Sequence, residues 1–182
     1  MITRRKFTGA MLGVSIAGIA TGSAGALGKV VKTKAGADAL REQLARIEAQ
    51  SGGRLGVSIV DTMSGLHAGL RADERFPMCS TFKLLAAGLV LTRADRGQED
   101  LQRRVVFSES ELVANSPGTS GHTRELTGET GMSIADLCKA ALTLSDNTAA
   151  NLLLASFGGP AAVTAFARSL GDGITRLDRI EP

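Results

Sequence analysis

The sequence predicts an α+β fold with a helical insertion, and two observations predict it. The order of elements is a helix, two strands and then mostly helices. The composition also leans helical, with many Ala and Leu and only 3% aromatics. Leu40, Leu44 and Ile47 form one helical stripe, ended by Gly52-Gly53. Leu55, Val57, Ile59 and, less cleanly, Asp61 alternate as a strand should. Pro77 breaks what precedes it, and Ser80 to Arg96 then reads as a helix: Phe82, Leu84, Leu85, Gly88, Leu89 and Leu91, with Gly97 as the stop. Ser133-Ile134-Ala135-Asp136 has the form of a capping box and should start another helix. Its apolar positions are Ile134, Leu137, Cys138, Ala141 and Leu142. Ser145-Asp146-Asn147 interrupts that pattern, and a further helix runs from about Thr148 to Phe157 before Gly158-Gly159-Pro160.

Chemistry concentrates at two of these junctions. Ser80 sits at the first turn of its helix, with Lys83 one turn along on the same face. The positive end of the helix favours developing negative charge on the hydroxyl, and a desolvated neutral amine could accept its proton. The plainer reading makes Ser80 an N-cap and Lys83 a solvated lysine. Against it, a first-turn lysine opposes the helix dipole, and Met78-Cys79 and Leu84-Leu85 suggest a buried setting. Ser145-Asp146-Asn147 likewise reads either as a C-cap and N-cap or as a polar loop facing Ser80. In the second reading the Ser145 hydroxyl relays a proton, the Asn147 amide holds a substrate carbonyl, and Asp146 points inward to brace the loop.

Together, Ser80-x-x-Lys83, Ser145-Asp146-Asn147 and Arg179-Ile180-Glu181-Pro182 resemble the class A serine β-lactamases. The similarity runs through Arg41 to Gln50 as the N-terminal helix, and Leu55 to Thr62 and Leu66 to Arg71 as the first two strands. It continues through Phe76 to Ser80, and Leu112 to Pro117 resembles the loop beside the active-site mouth. The implied fold is the β-lactamase/penicillin-binding-like α+β architecture: a helical lobe plus an antiparallel sheet of which only the first two strands are present. The implied division is a leader at 1–26, an N-terminal helix and two strands at 27–79, and a helical lobe at 80–182. By the resemblance Ser80 is the acylated nucleophile, Lys83 its neighbouring amine, and Ser145 the shuttle to the ring nitrogen. Asn147 contacts the substrate, Glu181 activates the deacylating water, and Arg179 supports the loop carrying it. Lys83 and Glu181 are both candidates for the acylation base.

Three departures from the family pattern stand out. Asn115, in a substrate-binding position, replaces the aromatic residue that usually walls the site, and the chain has no Tyr or Trp. Cys138 lies where some members carry half of a disulfide, but Ala87 occupies the partner position. Gly118 to Gly131 is longer than usual and reads as a surface loop insertion, which accounts for the 65-residue separation of Ser80 and Ser145. A Lys-Thr-Gly strand with an oxyanion donor, worth about 100- to 1000-fold in rate, would fall beyond Pro182. The expectation is therefore an N-terminal part of such an enzyme, inactive or barely active by itself.

Thr3-Arg4-Arg5-Lys6-Phe7, the apolar run Ala10 to Ala20 and the small residues Ala24-Gly25-Ala26 have the form of a cleavable twin-arginine signal. The implied partner is the twin-arginine export machinery, and the implied location is periplasmic or secreted. The apolar core is short for a stable membrane anchor. Without residues 1–26 the chain carries 18 bases and 18 acids, so its charge gives no case for nucleic acid. His67 and His122 are isolated and no ligand spacing implies a metal; no cofactor is expected. For Cys79, the family pattern argues against a bond to Cys138. The resemblance implies a small-molecule β-lactam substrate and a monomer. A penicillin-binding peptidase shares the Ser-x-x-Lys plan, and a non-catalytic penicillin sensor would stay acylated. Glu181 and the cleavable leader speak for the hydrolase.

Overall fold

The computed structural model describes residues 34–182, so the leader expected at residues 1–26 lies outside the described residues. The chain parts into two compact units, one ending at Phe76 and the other running Pro77–Pro182.

In the first unit, helix α1 (Lys34–Ser51) is followed by strands β1 (Val57–Asp61) and β2 (Leu66–Leu70). The strands pair antiparallel, with Val57 opposite Leu70 and Asp61 opposite Leu66. Accessibility alternates along β1, as its side chains predict. Leu40 on α1 and Ala68 on β2 are buried, and Arg41 Nε donates to the Gly69 carbonyl at 3.3 Å. The expected α1 stripe is only partly realised: Ile47 is 52% exposed. Exposed ion pairs link the helix to the segments flanking the hairpin. Arg71 binds Glu48 at 2.8 Å and Glu74 at 3.0 Å, and Arg54 pairs with Glu74 while lying over the Phe76 ring.

The second unit is helical, with one small sheet. A 3₁₀ turn (Cys79–Thr81) leads into α2 (Phe82–Asp95); then come β3 (Arg104–Val105), a 3₁₀ turn (Glu109–Glu111) and short α3 (Arg124–Thr127). A third 3₁₀ turn (Gly128–Thr130), β4 (Met132–Ser133), α4 (Ile134–Thr143), α5 (Asn147–Ser156) and α6 (Pro160–Ser169) complete it. Adjacent residues on α2 and α5 feed two apolar clusters. Ala87, Val90, Ala149 and Leu153 join Phe107, Ile134 and Leu137 in one; Phe82, Ala86, Ala150 and Leu154 join Val163 in the other. The alanines let the helix backbones approach closely. The Ser133 hydroxyl accepts from the Asp136 amide at 3.1 Å, so the expected cap starts α4.

The fold class is as expected: helices with small antiparallel sheets. Three details differ. Ser80, expected in the first turn of the helix, lies in the 3₁₀ turn that leads into α2, with Cys79 before it at a left-handed φ of 47°. A second sheet, β3 with β4, was invisible in sequence because each strand has two residues. Gly131 permits it: at φ 54°, a Cβ there would lie 2.1 Å from the Val105 carbonyl oxygen. Finally, Gly118 to Gly131 is not a plain surface loop. Thr119 and Thr123 within it are buried, and its start is bound to the residues beside the candidate site. Cys79 is an exposed free thiol and Cys138 a buried one, its ionisation pushed up to about 12 by burial and then by Glu99.

Candidate active site

Lys83 is the centre of the site. Its position in the first turn of α2 buries it, at 2% exposure, and points its amine at oxygens from three other segments. Nζ lies 3.3 Å from Ser80 Oγ, 2.8 Å from the Ser145 carbonyl oxygen and 3.2 Å from Ser145 Oγ. It donates to Asn147 Oδ1 at 2.6 Å and stands 3.2 Å from Glu181 Oε1. The Glu181 contact is an ion pair without hydrogen-bond alignment, and Oε1 is buried with no other partner. A buried ammonium is tolerable only when so surrounded, since desolvation otherwise costs several kcal/mol. Ser80 itself is exposed, leaving its hydroxyl open to a ligand.

Each facing group is set by a local backbone feature. Ser145 follows the end of α4 with φ at 53°, unusual for a residue with a Cβ, and both its carbonyl and hydroxyl turn to Lys83. Such backbone strain persists only where surrounding contacts overdetermine it. They do so here through Asp146, fully buried as the N-cap of α5. Its carboxylate accepts from the amides of Gly118 (2.7 Å), Thr119 (2.9 Å) and Ala149 (2.7 Å) and from the Thr119 hydroxyl. Asn147 opens α5; its Nδ2 donates to the Ala114 carbonyl at 3.0 Å while its backbone amide donates to the Asn115 carbonyl. Asn115, at φ 58°, sits at the rim and reaches the Ser145 carbonyl at 3.4 Å. The hydroxyls of buried Thr148 and half-buried Ser116 lie 2.7 Å apart and pin the loop to α5.

Ser80, Lys83, Ser145, Asn147 and Glu181 thus converge within the second unit, with Asn115 at the edge and Asp146 behind. Arg179 does not join them: its side chain is exposed and makes no hydrogen bond or ion pair among the described residues. The residue that holds Glu181 is Asn151, which the sequence reading missed. Its Oδ1 accepts from the Glu181 amide at 2.9 Å and its Nδ2 donates to the Glu181 carbonyl at 3.0 Å. The signal was present, since Asn151 lies one helical turn after Asn147 on the same face.

The profile of the Beta-lactamase enzyme family matches residues 39–181. Among solved structures, PenP from Rhodopseudomonas palustris, assigned to the class A β-lactamases, is 67% identical with a TM-score of 0.74, over 79% of this chain and 53% of its own. An ancestral (GNCA) class A β-lactamase is 58% identical with a TM-score of 0.72, over 79% and 53%. The class A β-lactamase of the last common ancestor of Gram-negative bacteria (GNCA4) is also 58% identical, with a TM-score of 0.73 over the same shares. Fold and site define a serine hydrolase family, and the chain belongs to its class A β-lactamase branch. It spans about half the length of the solved structures it matches.

Proposed function

We propose that the whole protein hydrolyses the amide of penicillin-type β-lactams through a Ser80 acyl-enzyme. The observation that carries this reading is the Lys83 amine, held between Ser80 Oγ at 3.3 Å, Ser145 Oγ at 3.2 Å and Glu181 Oε1 at 3.2 Å. Ser80 Oγ attacks the lactam carbonyl carbon, and its proton passes into the Lys83–Glu181 pair. The carbon–nitrogen bond breaks, and Ser145 Oγ hands a proton to the departing ring nitrogen, taking one in return from Lys83. In the second half, Glu181 removes a proton from water, which attacks the ester carbonyl; the ester C–O bond breaks and Ser80 Oγ leaves, taking a proton back from the Lys83–Glu181 pair. Asn147 keeps one amide hydrogen beyond the one given to the Ala114 carbonyl, which suits it to a substrate carbonyl. Asn115, short and polar at the rim, brings a hydrogen-bonding contact where an aromatic side chain would bring stacking area.

Benzylpenicillin with intact-protein mass spectrometry tests the reading in the whole protein. Ser80→Ala should abolish the covalent adduct, and Glu181→Ala should leave the adduct in place while ring-opening turnover stops. An adduct that forms on Ser80→Ala would remove Ser80 as nucleophile. Turnover by Glu181→Ala at the parent rate would remove Glu181 as the deacylating base.

A further inference from the structure

We infer that Thr164 is a positioning residue for deacylation, acting on Glu181 through the backbone of Leu177; the inference rests on the acyl-enzyme reading above. After α6 ends at Ser169 the chain runs to Glu181 with no regular secondary structure. A segment of that kind has no ladder to hold it, so its geometry depends on side chains reaching from elsewhere. Its first part organises itself. Asp172 Oδ1 accepts from the amides of Ile174 (2.8 Å) and Thr175 (2.9 Å), and Arg168 binds the carbonyls of Asp172 and Thr175.

Between that turn and Glu181, one side chain from a helix takes hold. Thr164 Oγ1 on α6 accepts from the Leu177 amide at 2.9 Å and lies 3.3 Å from the Leu177 carbonyl oxygen, a separation of 13 residues. The hydroxyl has one hydrogen, and the Pro160 carbonyl at 3.4 Å competes for it, so the accepted bond is the firm one. The Leu177 side chain packs on the cluster of Phe82, Ala86 and Val163, which ties the same point to the start of α2. Asp178, Arg179 and Ile180 beyond it are exposed. Glu181 is therefore suspended between two anchors, Asn151 on its own backbone and Thr164 on the backbone of Leu177, four residues earlier. Asn151 fixes where Glu181 sits, and Thr164 fixes the direction from which the chain arrives, hence where the carboxylate points.

Deacylation relies on that carboxylate alone to hold one water on the ester, whereas in acylation Lys83, 3.3 Å from Ser80 Oγ, shares the proton with Glu181, and Thr164 touches none of Ser80, Lys83 and Ser145. Displacement on the order of 1 Å can cost up to about 100-fold in rate. In the whole protein with benzylpenicillin, Thr164→Val should slow deacylation by about 10- to 100-fold, so that acyl-Ser80 accumulates, with acylation changed less than about twofold. Thr164→Ser, which keeps the oxygen, should restore parent kinetics. If Thr164→Val does not fold, Thr164→Ala removes the same oxygen without adding bulk and carries the same test. Parent-like deacylation in the Val and Ala variants overturns the inference, as does an equal fall in both rates, which marks a merely structural role. A parent protein that never acylates Ser80 would instead refute the acyl-enzyme reading, an outcome visible before any Thr164 variant is made.

Discussion

Lys83 shows how much one side chain decides. A lysine at this place in a helix is electrostatically unfavourable by itself, since the N-terminus already carries partial positive charge. Its burial at 2% exposure is compensated by Asn147 Oδ1, two Ser145 oxygens and Glu181 at 2.6 to 3.2 Å. Lys83→Met keeps length and packing but removes the proton carrier between Ser80, Ser145 and Glu181. Acylation by benzylpenicillin in the whole protein should fall about 100- to 10,000-fold with the circular dichroism spectrum unchanged. Retained acylation at the parent rate would show that Lys83 is only a structural cation. That Ser80 and Lys83 would lie side by side was readable from their spacing. That Ser145 would contribute its carbonyl as well as its hydroxyl was not, because this depends on a left-handed backbone that its sequence neighbours do not announce.

At the scale of elements, the segment between α6 and Glu181 is held by a few polar contacts, and its first turn is pH-sensitive. The Asp172 carboxyl is lowered to about 2, first by the Thr175 hydroxyl and then by the amides of Thr175 and Ile174. Because the folded value lies below the ordinary 3.8, the turn's stabilisation is complete above about pH 4 and is lost as pH falls toward 2. Amide exchange at Ile174 and Thr175 should therefore accelerate over that window ahead of exchange at Leu153 in the core of α5. Asp172→Asn should remove this pH dependence, and uniform exchange across the window in the parent would refute it. Helix α4, by contrast, was legible almost to the residue, since its cap and its apolar periodicity are both local. The β3–β4 pair was not legible, as its register joins residues 104 and 133 through short strands without alternation.

For the whole molecule, the two compact units rest on different physics. The described part of the first is a helix over one hairpin, where ion pairs such as Arg71–Glu48 are exposed and screened by solvent. The second has two apolar clusters sharing α2 and α5, and it alone contains the candidate site. We propose that the protein is exported folded by the twin-arginine route, on the strength of Thr3 to Phe7 and the run that follows. Replacing Arg4 and Arg5 together by lysine should leave the uncleaved protein in the cytoplasm on fractionation. Normal processing and export of that variant would exclude the route.

The sequence by itself determined the family, the helices with strong periodicity and the candidate site residues Ser80, Lys83, Ser145, Asn147 and Glu181. Each of those signals is written in a window of a few residues, whether as a cap, a stripe or a motif. Only the tertiary structure decided that Lys83 is the hub, that Asn151 grips the Glu181 backbone, and that the start of the Gly118–Gly131 segment binds Asp146. Those contacts join residues 28 to 64 positions apart. Such pairings depend on how helices pack around shared apolar clusters, which no local pattern specifies.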